Sequence, residues 1–271
     1  MRKLLLSASL VLGTLALAAP QAQAAMVANW GYEVTSEWTG ATFTGGTGTQ
    51  VQTATEISWG GDNNNGAPGV GDLTVGSGTR SGVLIENSPQ SGTIATNGPT
   101  PEPTNTFSHV NNPISVLFST LRTASISTTL TLTALGTPDI PLPPKTLTFE
   151  INFSETPNNG SCVVGATSNC DDIFIITFGS LNNSFIFDGF EYFTSIVKTA
   201  GPLDPLDPTA CAAAGATTPC LGFLTEEGAK TSVDFGILIT SRPLQIPEPG
   251  ILGLMGLALL GVAVARRRQA S

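Results

Sequence analysis

Charged residues are scarce, and basic ones most of all. Only 11% of residues are charged, with 11 Lys and Arg against 20 Asp and Glu. The formal net charge of -9 argues against a nucleic-acid binder, which needs a basic stripe to displace phosphate counterions. Histidine is scarcer still. His109 stands alone, which excludes mechanisms built on two histidines and most His-rich metal sites. The four cysteines include no Cys-x-x-Cys pair, so a thiolate zinc site lacks its usual spacing. No 11-residue window of the interior carries a convincing 3.6-residue apolar period.

What is plentiful points away from helices. The chain has 30 Gly and 19 Pro, which cost about 1 and 3 kcal/mol inside a helix. Its 271 residues allow a sizeable core. Long β-branched and aromatic runs exclude disorder along the whole chain.

The two ends read as targeting segments. Met1-Arg2-Lys3 is a positive start, Leu4 to Ala19 is apolar, and Ala22-Gln23-Ala24 has the small-x-small form of a cleavage site. Residues 1–24 are therefore expected to be a secretory signal peptide, cut after Ala24. At the other end, Pro247-Glu248-Pro249 precedes an apolar run from Ile251 to Ala265. Arg266, Arg267 and Arg268 follow. Such a run, as a helix, spans about 22 Å, a short membrane helix against a hydrocarbon core of ~30 Å. The basic cluster belongs on the cytoplasmic side, and so do the N-terminal charges. The body between must then lie outside the inner membrane. That body, residues 25–246, keeps 6 basic and 19 acidic residues, a formal charge of -13.

This tail, about residues 246–270, resembles the PEP-CTERM sorting signal: a Pro-Glu-Pro motif, a short membrane helix and an Arg cluster. The resemblance implies recognition and cleavage by an exosortase. It implies transient anchoring in the inner membrane, then display on the cell surface or in the extracellular matrix of a Gram-negative bacterium. Extracellular polysaccharide, as in a biofilm, is the implied surrounding. Signal peptidase and exosortase are the implied processing partners.

The cysteines form two close pairs, Cys162 with Cys170 and Cys211 with Cys220. In an exported chain an even count reads as disulfides. Three pairings are open. The local one is favoured, because both segments look like loops flanked by Gly, Asn or Pro.

The interior reads as β-sheet. Leu147, Phe149, Ile151 and Phe153 alternate with polar residues, as in a half-buried strand. Leu130 to Ala134 and Val233 to Thr240 show the same period. Ile173 to Phe178 is apolar on both faces, which marks a central strand. Asp188-Gly189 between two aromatic runs predicts a type I′ hairpin. Shorter strands are expected at Trp30–Val34, Val51–Trp59 and Arg80–Ile85. Gly60–Gly78 and Asn87–Pro103 read as long surface loops, and Pro138–Pro144 and Gly201–Pro208 as rigid connectors. The fold class expected is all-β, an antiparallel two-layer β-sandwich of jelly-roll type over residues 25–245.

Phe107-Ser108-His109-Val110-Asn111 is similar to the motif that names the THxN family of PEP-CTERM proteins, with Ser108 in place of Thr. Other family-like landmarks follow the same order. They are Ile57-Ser58-Trp59-Gly60, Glu155-Thr156-Pro157-Asn158, Cys170-Asp171-Asp172-Ile173-Phe174, Phe187-Asp188-Gly189 with Tyr192, Leu203-Asp204-Pro205-Leu206, and Cys220-Leu221-Gly222-Phe223 before Glu226. The resemblance places the chain in a family of uncharacterised function and implies no activity.

Within the motif, Ser108 and His109 face opposite sides of a strand, so they make a poor catalytic dyad. Asn111 shares the face of His109. Hydrogen bonding of His109 to backbone or a buried loop is the expected role, ahead of ligand contact and catalysis. Asp171, Asp172, Asp62 and Asp72 are the calcium candidates, although Asp62 to Gly66 misses EF-hand spacing. Turn chemistry explains these residues equally well. Trp30, Trp38, Trp59, Tyr32 and Tyr192 are candidates for an aromatic sugar platform. No carboxylate pair is singled out for hydrolysis. The reading reached is an exported, non-enzymatic protein without a cofactor, structural or adhesive in a polysaccharide layer. A carbohydrate-binding module is the alternative, and an uncharacterised hydrolase the third.

Overall fold

The structure is a computed structural model that describes residues 25–61, 73–136, 138–156, 162, 170–178 and 182–244. The expected signal peptide and membrane helix lie outside these residues. In chain order the strands are β1 (Asn29–Phe43), β2 (Thr49–Gln52), β3 (Glu56–Gly60), β4 (Arg80–Glu86), β5 (Gln90–Ala95), β6 (Glu102–Val110), β7 (Leu121–Ala134), β8 (Ile140–Pro141) and β9 (Lys145–Ser154). They continue with β10 (Asp172–Phe178), β11 (Asn182–Phe187), β12 (Phe190–Ala200), β13 (Asp204–Pro205), the helix α1 (Pro208–Ala213), β14 (Leu221–Thr225) and β15 (Lys230–Pro243).

The fold is all-β and mostly antiparallel, in two curled sheets. One sheet has the order β13-β14-β10-β9-β7-β1-β5, with β8 paired to β7. The other has the order β11-β12-β15-β6-β4-β3-β2. Period two explains how they face each other. Ile126, Phe149, Ile151, Phe153 and Phe174 of the first sheet pack against Ile57, Trp59, Val83, Phe107 and Phe235 of the second. Burying each side chain of this size stabilises by about 1.5–3 kcal/mol. A second apolar cluster joins Trp30, Tyr32, Leu130 and Leu132 to Tyr192, Ile237 and Ile239.

Strand β10 is central, between β9 and β14, as its two-faced apolarity predicts. Phe174 and Ile176 enter the core between the sheets. Ile173 and Ile175 instead meet Ala210 and Cys211 of α1. Asp207 caps that helix, accepting from the Thr209 amide at 2.7 Å, and Pro208 fits its first turn. The local disulfides, Cys162–Cys170 and Cys211–Cys220, are both formed. The Asp-Gly hairpin joins β11 to β12, with positive φ at Asp188 and Gly189.

Three expectations need correction. Val51–Trp59 is not one strand but β2 and β3, because Thr53 Oγ1 accepts from the Glu56 amide and turns the chain. Asn87–Pro103 is not a loop. It holds β5, which pairs with β1, and the start of β6. Gly92 allows the close approach there, since a Cβ would meet the Tyr32 ring at 2.9 Å. The two Pro-rich connectors carry the two-residue strands β8 and β13.

A buried polar junction between the sheets as candidate functional site

Strand β6 lies inside its sheet, between β15 and β4, so alternate side chains must point inward. His109 does so and has no exposed surface. Its ring stacks on Trp59 of β3, centroids 6.2 Å apart, and meets the edge of Phe153 of β9 at 4.9 Å. Ser108 points the other way, bonding Glu86 and Ser232. The two are not a dyad, as alternation requires.

Beyond the rings lies a group of acids. Asp172 opens β10 and is also fully buried. Its Oδ1 accepts from the Thr156 amide at 2.9 Å. Its Oδ2 faces His109 Nε2 at 3.6 Å, too long for a hydrogen bond. Glu155, just past β9, accepts from Trp59 Nε1 at 3.0 Å, and its charge acts on the Asp172 carboxyl. Glu227, on the turn from β14 to β15, adds its charge to both.

Asn111 follows β6 and holds that turn. Its side-chain amide donates to the Thr225 carbonyl oxygen at 3.0 Å. Its backbone bonds Ala229 and Gly228.

Burial sets the protonation states. It pushes His109 down to about 3, so the imidazole is neutral at physiological pH. It pushes Glu155 up to about 8, with the Trp59 hydrogen bond opposing and the Glu227 charge adding. Burial, then the Glu155 charge, holds Asp172 well above the usual carboxylate range. Glu227 is raised by burial as well.

Several polar atoms here are buried and make no hydrogen bond: both His109 nitrogens, Asp172 Oδ2, Glu155 Oε1, Asn111 Oδ1, Thr225 Oγ1 and both Glu227 oxygens. The hydrogen bond expected of His109 to backbone is therefore not made. Asn111 makes one instead. Asp171, beside Asp172, is buried too, and burial with the Glu226 charge raises its carboxyl. Among the described residues, no group of three or more His, Cys, Asp or Glu side chains is placed to hold a metal ion. Asp62 and Asp72 lie outside the described residues.

Glu155 also reaches the surface. It lines two neighbouring concavities of about 410 and 240 Å³, with Thr44 and Thr120 common to both. The expected aromatic platform is not presented to solvent: Trp30, Trp38, Trp59, Tyr32 and Tyr192 are all buried.

Most of the junction is spelled by segments the sequence singles out one by one. Trp59, His109, Asn111, Glu155 and Asp172 each sit in such a segment, and Glu227 follows one. What sequence reasoning missed is that Glu155 and Glu227 matter and that all six meet.

The chain's tail supplies a different finding. Residues 245–268 match the PEP-CTERM protein-sorting motif. The tail carries a PEP-CTERM sorting signal. Such motifs are exosortase substrates, so the PEP-CTERM match indicates an exported protein, sorted through a membrane-anchored stage before surface display. Pro247, Glu248, Pro249, Arg266, Arg267 and Arg268 fall within it. They lie outside the described residues, as do Ala22 and Ala24 of the signal cleavage site. No curated protein and no solved structure matches the chain.

Proposed function

We propose that the body is a non-enzymatic two-layer β-sandwich of the THxN type, displayed on a Gram-negative surface as a structural or adhesive part of a polysaccharide layer. The observation that carries it is the sorting motif at residues 245–268, which directs the chain outward. The position of His109 supports the non-enzymatic part. The imidazole is neutral, has no exposed surface and is enclosed by Trp59 and Phe153. A general base must reach the proton it abstracts, and no substrate reaches this one without opening the core.

A carbohydrate-binding role is the second reading. The hydroxyl-lined concavities beside Glu155 favour it. The test combines a deletion strain with the purified exported protein. The structural reading expects a polysaccharide layer that loses cohesion and a protein that releases no reducing sugar or peptide. Saturable glycan binding abolished by Thr120→Ala supports the second reading instead. Turnover abolished by Glu155→Gln contradicts both.

A further inference from the structure

We propose that His109 and Asp172 together hold a divalent cation between the two sheets, completed by two oxygens drawn from Glu155, Glu227, Asn111 and Thr225. The inference goes beyond the surface role and stands on the geometry of the junction.

Burying polar groups without partners costs free energy, and native interiors hold few such atoms. Here eight crowd one junction. Six of the eight are oxygens, and five of those are carboxyl or amide oxygens that need a partner from outside their own group. Four of the residues, His109, Asn111, Asp172 and Thr225, have no exposed surface at all. A cation satisfies such atoms together where one more hydrogen bond would satisfy only two.

The spacing of the anchoring pair fits. Two ligands each about 2.0–2.2 Å from a tetrahedral ion stand roughly 3.4 Å apart. His109 Nε2 and Asp172 Oδ2 are 3.6 Å apart with neither atom hydrogen-bonded. The neutral imidazole is the form that ligates. Glu155 and Glu227 both act electrostatically on Asp172, and their long side chains would have to rotate to close the shell. One nitrogen among oxygens selects a borderline ion, zinc or manganese, over calcium, which takes oxygen alone.

The site would act as a staple. His109 comes from β6 in one sheet, and Asp172 from β10 in the other. Asn111 already bonds across the same gap to Thr225 of β14.

The test uses the exported protein stripped with EDTA and titrated with Zn2+, Mn2+ and Ca2+ separately. Thermal unfolding and calorimetry are read together. The expected result is a Tm raised by Zn2+ or Mn2+, saturating at one ion per chain, with binding weakened at least about tenfold in His109→Gln and in Asp172→Asn. Should either variant fail to fold, Co2+ added to the unaltered protein decides, through the visible absorption of a nitrogen- and oxygen-bound ion. No Tm shift with Zn2+ or Mn2+, a colourless Co2+ protein, or Ca2+ binding that survives His109→Gln overturns the proposal.

Discussion

The indole nitrogen of Trp59 donates to the Glu155 carboxyl group at 3.0 Å. Trp59 lies on β3 of one sheet and Glu155 just beyond β9 of the other. The bond is one of several polar ties across the apolar core. Tyr32 Oη on β1 donates to the Pro103 carbonyl oxygen on β6 at 2.7 Å. Ser36 Oγ on β1 bonds Asn105 Oδ1 on β6. Apolar packing presses the sheets together without direction, and these bonds set their register.

Trp59→Phe keeps most of the ring and removes the donor. Glu155 is then left with a buried, unpartnered oxygen, at a cost of about 1–3 kcal/mol. Urea unfolding should show that loss. A double-mutant cycle with Glu155→Gln should return a coupling of about 0.5–3 kcal/mol. Additive losses would mean that the pair does not tie the sheets.

The disulfide Cys211–Cys220 spans the segment that lays α1 over β10. Replacing both cysteines with Ser restores loop freedom to the unfolded chain. The expected loss is about 2.5 kcal/mol, measured by denaturant unfolding under oxidising conditions. Limited proteolysis should then cut first near Ala212, Ala213 and Gly215, the exposed residues of this segment.

Acid should weaken the protein partly through Glu86. Burial pushes this carboxyl up, but hydrogen bonds from Lys230 and Ser108 and the Lys230 charge outweigh it and hold it below its usual value. A carboxylate depressed in the folded state adds stability above its unfolded pKa and loses it as pH falls through the folded one. Glu86→Gln should therefore flatten the stability profile below about pH 4.5 and lower stability at neutral pH. The pair is partly exposed, so the effect should shrink in high salt. A pH series of thermal unfolding curves reads both.

Much of the fold was legible locally. The alternation from Leu147 to Phe153 is β9, the Asp188-Gly189 turn is a hairpin, and the two-faced run at Ile173 is central. Each signal lies within a few residues and reflects which face is buried. Strand β5 was not legible. Its sequence, Gln-Ser-Gly-Thr-Ile-Ala, has the composition of a loop and becomes a strand by pairing with β1 from Asn29 to Val34. The split of Val51–Trp59 turned on a single threonine side chain.

The junction was legible residue by residue and not as a place. His109 and Asn111 stand two apart, but Asp172 and Thr225 reach them only because β10 pairs with β14 and the sheets face each other. Burial likewise decides the fate of the aromatic residues. The tail needed no fold at all, because Pro-Glu-Pro, apolar run and Arg cluster are contiguous.

Mass spectrometry of the protein recovered from the cell surface tests the sorted, surface-displayed role most directly. The expected mature chain begins at Ala25 and has lost the segment carrying Arg266, Arg267 and Arg268, with its new C-terminus near Pro247-Glu248-Pro249. A surface protein with those three arginines intact, or a chain retained inside the cell, would contradict it.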